Sequence, residues 1–117
     1  MYFAGAAYPQ PPEYLLATEV TSSSVGLSWN SSIDTESTVP VKYYVVQYRH
    51  NGSAVDFVEL SVWKSEVSVV GLEPEMPYEF RVIAVNVVGR SHNSSSIVIT
   101  TSRTGFMPLS YFIYLEA

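Results

Sequence analysis

Tyr78-Glu79-Phe80-Arg81-Val82-Ile83-Ala84-Val85-Asn86 alternates bulky apolar side chains with mixed ones over nine residues. A period of two is what a β-strand needs when one face lies in a core and the other does not. The preceding Gly71-Leu72-Glu73-Pro74-Glu75-Met76-Pro77 reads as a corner, because one Gly and two Pro interrupt regular structure. A Tyr placed just after such a corner can bury its ring and return its hydroxyl to backbone groups upstream, the tyrosine corner of antiparallel sandwiches.

Working outward, the chain divides into short strands with turn signals between them. Leu15, Ala17 and Val20 suggest a first strand, turned by Thr21-Ser22-Ser23-Ser24. Val25-Gly26-Leu27-Ser28-Trp29 puts Val25, Leu27 and Trp29 on one face. Residues 30–40 are polar and end at Pro40, so they read as a loop. Residues 41–49, rich in Tyr and Val, form a strong strand; Asn51-Gly52 is a hairpin signal, and 56–62 is the returning strand. After Trp63-Lys64-Ser65 come a strand at 66–70, the corner, the strand 78–86, a loop at 87–93 and a last strand at 96–101. No segment has a helical period. Seven short strands predict an all-β antiparallel sandwich, with a barrel as the weaker alternative. Its core is expected to hold Trp29, Tyr44, Val46, Leu72, Tyr78, Phe80 and Val82.

Composition limits function. The 117 residues suit one domain, and 47% apolar residues supply a core. A net charge of −5 with only six Lys and Arg excludes a basic nucleic-acid surface. There is no Cys, so disulfides and thiolate chemistry are out. No run approaches the ~20 apolar residues of a membrane span. Residues 1–7 lack the basic and long apolar regions of a signal peptide, so the chain reads as a module excised from a longer parent.

At this point the residues resemble a fibronectin type III domain. The matching positions run from Pro12, Leu15, Val20-Thr21, Ser24-Val25 and Leu27-Ser28-Trp29 through Tyr44, Val46 and Tyr48-Arg49. They continue with Gly71-Leu72, Pro74, Tyr78, Phe80-Arg81-Val82, Ala84, Asn86, Gly89 and Ser91. Pro77 and Tyr43 depart from the pattern, and the 87–95 loop has no Arg-Gly-Asp. The resemblance implies an immunoglobulin-like fold with sheets A-B-E and C-C′-F-G. It divides the chain into an extended lead-in (1–11), the domain (12–102) and an apolar tail (103–117). It also implies a non-catalytic protein-interaction or adhesion module of a cell-surface receptor. The alternative is a structural spacer without its own partner in a matrix, muscle or carbohydrate-active protein.

Site chemistry is sparse. His50 and His92 have no acidic or His companions in sequence, so a zinc site is not expected. Glu73, Glu75 and Glu79 gather at the corner, but a solvated acidic turn explains them better than calcium, which takes 6–8 arranged oxygens. No nucleophile elbow or phosphate-cradling loop occurs. No catalysis, cofactor or metal is expected.

Three of the four asparagines, Asn30, Asn51 and Asn93, begin Asn-x-Ser sequons in expected loops or strand ends. They point to an extracellular glycoprotein, although turns favour Asn and Ser in any case.

The partner signal lies on the outer face of C-C′-F-G. With Tyr44, Val46 and Tyr48 inward, Tyr43, Val45 and Arg49 point outward; with Tyr78, Phe80 and Val82 inward, Arg81, Ile83 and Val85 do the same. Tyr43, Val45, Ile83 and Val85 are expected to form an exposed apolar patch beside Val87, Val88 and Arg90, and such patches mark interfaces. The expected partner is another extracellular protein domain or a second copy. Phe106-Met107-Pro108-Leu109 and Tyr111-Phe112-Ile113-Tyr114-Leu115 could serve as a linker, as an added edge strand mediating a homodimer, or as sequence foreign to the domain.

Overall fold

Seven strands and no helix occur among residues 8–31 and 39–105, the part of the chain that the computed structural model describes. They are β1 (Glu13–Val20), β2 (Val25–Asn30), β3 (Tyr43–His50), β4 (Val58–Val62), β5 (Glu66–Val69), β6 (Pro77–Val85) and β7 (Ile97–Thr100). One sheet has the order β1-β2-β5 and the other β4-β3-β6-β7, every pairing antiparallel. These are the expected A-B-E and C′-C-F-G layers.

The period of two places the core between them. Val25, Leu27 and Trp29 of β2 face Tyr44 and Val46 of β3 and Tyr78, Phe80, Val82 and Ala84 of β6, with Val69 and Leu72 completing the layer. Trp29 retains 3% of its surface and Tyr78 5%, so both rings are clamped between the sheets as the alternation predicts. Trp29 meets Tyr44 edge to face at 5.5 Å. Removing each such ring from water stabilises by roughly 1.5–3 kcal/mol.

The corner before β6 is tied to both sheets. Tyr78 Oη accepts the Glu73 N–H at 2.8 Å, and Leu72 N–H donates to Ser23 O at 2.9 Å. Thr101 Oγ1 accepts the Met76 N–H at 3.0 Å and donates to Glu73 O. Glu75 takes the left-handed conformation within the corner, at φ 53°.

Three details differ from expectation or add to it. Between Asn51 and Gly52 only Gly52 has positive φ, 82°, which is the type II pattern and not the type I′ of the tightest hairpins. The returning strand accordingly starts at Val58, later than residue 56, and Phe57 stays free to fold over the sheet. Gly26 admits a close approach of β1: a Cβ there would stand 2.7 Å from Thr18 Oγ1, beside a register shift in β1. The lead-in from Tyr8 is not loose, because Pro9 and Pro12 are buried and the Tyr8 ring lies on Gly89. Residues 1–7 and the apolar run from Phe106 to Leu115 lie outside the described residues. Among the described residues no helix is long and apolar enough to cross a membrane.

Candidate functional site

The register of the larger sheet arranges its outer face in rows. Tyr43 pairs Val85, Val45 pairs Ile83, Gln47 pairs Arg81, and Arg49 pairs Glu79; on the other side of β3, Val45 pairs Ser61 and Gln47 pairs Glu59. Paired residues share a face, so the outward direction expected for Tyr43, Val45, Arg49, Arg81, Ile83 and Val85 holds.

Their exposure does not. Val45, Ile83 and Val85 are buried, at 1%, 7% and 7%, and form a second small core with Tyr43 packed against it. The physical reason is a diagonal strap. Arg90 bridges Val85 at one side of the sheet, yet its guanidinium binds Glu59 of β4 at the other, with Nη1 and Nη2 at 2.8 and 3.1 Å from the two carboxylate oxygens. To connect those positions the pair must cross the row of Val45 and Ile83. Arginine's three methylenes can cover apolar surface while its charge stays wet. The expected exposed apolar patch at these residues is therefore corrected to a covered one.

The strap continues as a polar chain. Glu59 Oε2 also accepts from Gln47 Nε2 at 2.7 Å, and Gln47 Oε1 accepts from Arg81 Nε at 2.6 Å. The bond from Arg90 first, and that from Gln47 second, hold the Glu59 carboxyl at about 2, well under its ordinary 4.5. At the next row Arg49 Nε meets Glu79 at 3.4 Å and its Nη1 binds Val55 O at 2.9 Å. The guanidinium carbons of Arg49 and Arg81 lie 3.9 and 4.0 Å from the centre of the Phe57 ring, an arrangement that favours cation over π-face.

One exposed apolar group of this face lies at the end of the sheet where β3 begins. Trp63, 81% exposed, rests edge-on against Tyr43 with ring centres 6.3 Å apart. Val87 and Val88 are exposed just beyond Val85, the partner of Tyr43. Their turn is held by Asn86 Oδ1, which accepts the N–H groups of Val88 and Gly89 at 2.9 and 3.1 Å.

A family model for the fibronectin type III domain matches residues 10–100. The chain belongs to the fibronectin type III family. The domain is similar, at 42% identity over 100 residues, to a segment of receptor-type tyrosine-protein phosphatase F of Danio rerio, covering 85% of this chain and 5% of that protein. Protein sidekick-1 of Mus musculus is 42% identical over 91 residues, 74% of this chain and 4% of that one. Among solved structures, domains A168–A170 of titin superpose with a TM-score of 0.75 at 23% identity, over 82% of this chain and 33% of that chain, which bears on the fold alone. The domain thus spans about a twentieth of the length of the curated relatives. A fibronectin type III domain is non-catalytic in itself, and the segment shared with the phosphatase is that domain.

Two features of this fibronectin domain were not read from its sequence. Ser91 and Ser94 are buried where β7 has not yet begun, and their hydroxyls take over the ladder: Ser91 Oγ accepts the Ala84 N–H at 2.9 Å and Ser94 Oγ the Val82 N–H at 2.8 Å. Their own N–H groups donate to Ala84 O and Val82 O. Ser at a spacing of three opposite alternate residues of a strand was the available signal. The other is Trp63, read only as a break between strands.

The remaining candidates separate. His50 lies exposed on Tyr78, ring centres 4.9 Å apart, with Nε2 3.5 Å from Glu73. Glu79 turns to Arg49 instead, so the three corner carboxylates do not converge. Among the described residues no three His, Cys, Asp or Glu gather as metal ligands. Asn30, Asn51 and Asn93 are all exposed.

Proposed function

We propose that the chain is a protein-interaction module of the extracellular part of a receptor or adhesion protein. It binds another protein domain with the end of the C-C′-F-G face that carries Trp63, Tyr43, Val87 and Val88. The supporting observation is the exposed Trp63 indole, braced by Tyr43, with the exposed Val87 and Val88 just beyond Val85, the strand partner of Tyr43. Aromatic anchors with an apolar surround and a polar rim are what protein interfaces concentrate, and the chain Arg81–Gln47–Glu59–Arg90 supplies the rim. The receptor-type relatives support a cell-surface setting.

The test is a binding screen of the chain against a panel of secreted extracellular domains, the chain itself included, with Trp63→Ala as the comparison. At least one member binds, and Trp63→Ala weakens it by about thirtyfold, the size of an interface hot spot. A chain that binds no member, or whose binding ignores Trp63→Ala, contradicts the proposal and leaves the spacer reading.

A further inference from the structure

At the other end of the same sheet, Asn51 sits in the exposed Asn51-Gly52 turn, closed by the Ser53 N–H donating to His50 O at 3.0 Å. Beside it opens a cleft of about 220 Å³, whose walls include Tyr48, His50, Ser53, Val55, Val58 and Tyr78. It is smaller than the roughly 300–1,000 Å³ of ordinary ligand pockets. Val55 and Val58 expose 67% and 51% of their surface there. A small cleft walled by tyrosines and valines together with the charged Arg49 and Asp56, and with its lining residues His50 and Ser53 on either side of Asn51 in the chain, has room for one ring.

We propose that Asn51 is an N-glycosylation site and that the first N-acetylglucosamine of its glycan seats in this cleft. Asn51 is exposed, and residues lining the cleft stand on both sides of it in the chain. In the transfer, Asn51 Nδ2 attacks the anomeric carbon of a polyisoprenyl diphosphate-linked oligosaccharide. The new N–C bond replaces the C–O bond to the diphosphate, which leaves with the electron pair, and one amide proton passes to the transferase's base. The sugar's apolar ring face then covers Val55 and Val58, surface that otherwise stays in water. Its acetamide lies near the polar rim of His50 and Ser53. Ser53 serves twice, as the hydroxyl of the sequon and as acceptor of the Val55 N–H at 3.1 Å.

The inference rests on the extracellular reading above. The full chain, placed behind a secretion signal, is expressed in eukaryotic cells that leave glycans in their high-mannose form. Peptide mass mapping finds Asn51 modified; Asn51→Gln and Ser53→Ala lose the glycan and Ser53→Thr keeps it. Trimming to the single proximal sugar preserves the melting temperature, whereas Asn51→Gln lowers it by a few degrees and speeds amide exchange at residues 55–58. An unmodified Asn51 in the secreted chain overturns the proposal. So does a glycan whose loss leaves that exchange unchanged. Because the secretion signal is supplied, either failure counts against this site alone, while the Trp63→Ala comparison judges the recognition end.

Discussion

Tyr78 reaches back to accept the backbone N–H of Glu73 with its hydroxyl at 2.8 Å. The bond spans the corner that carries the chain from one sheet to the other, and it leaves the ring in the core, tilted against Phe80. Tyr78→Phe keeps the ring and strands the Glu73 N–H. A stranded, partly buried amide costs about 1–3 kcal/mol, so urea unfolding should show a loss in that range with an unchanged m-value.

Ser91 and Ser94 act as ladder partners for β6. Ser91→Ala and Ser94→Ala each remove an acceptor from a buried N–H and are expected to cost about 1–3 kcal/mol apiece. Exchange of the Ala84 amide should accelerate in the first variant and that of Val82 in the second.

The strap over Val45 and Ile83 makes a pH-dependent contribution. Glu59 is held at about 2 in the folded chain against 4.5 ordinarily. A depressed carboxylate stabilises above its unfolded pKa and loses that contribution as the pH falls through its folded one. The window is therefore pH 4.5 down to 2. The Arg90 and Glu59 side chains are 49% and 39% exposed, so solvent screens the pair and its effect is modest. Comparing wild type with Glu59→Gln, the stability gap seen at pH 6 should close on approaching pH 2.

Ile83→Lys distinguishes a covered patch from an open one. An open position would tolerate Lys within about 0.5 kcal/mol. A buried one must desolvate or expel the ammonium, so thermal unfolding should show a loss well above 2 kcal/mol, at the large end of single substitutions.

How far the sequence could be read follows from the range of the interactions. Trp29, Tyr78 and the strand pairs depend on alternation and local corners, which are written in neighbouring residues. The direction of Val45, Ile83 and Val85 follows from the same period. Their burial does not, because it depends on Arg90 meeting Glu59, 31 positions away in the chain and two strands across the sheet. The type II turn at Asn51-Gly52 was hidden for a different reason: Asn-Gly serves several turn types, and the contacts of Val55 and Phe57 with Arg49 accompany the longer connection. Trp63 carried no period at all, and only its place beside Tyr43 gives it meaning.

The recognition end is tested most directly by the emission of Trp63. Trp29 and Trp63 are the two tryptophans of the chain, and Trp29→Phe leaves one reporter. In the free chain that reporter should emit at the long wavelength of an indole in water and be quenched readily by iodide. When a partner from the binding screen is added, the emission should move to shorter wavelength and the quenching should fall. A complex that forms while Trp63 stays water-exposed and fully quenchable would contradict the account.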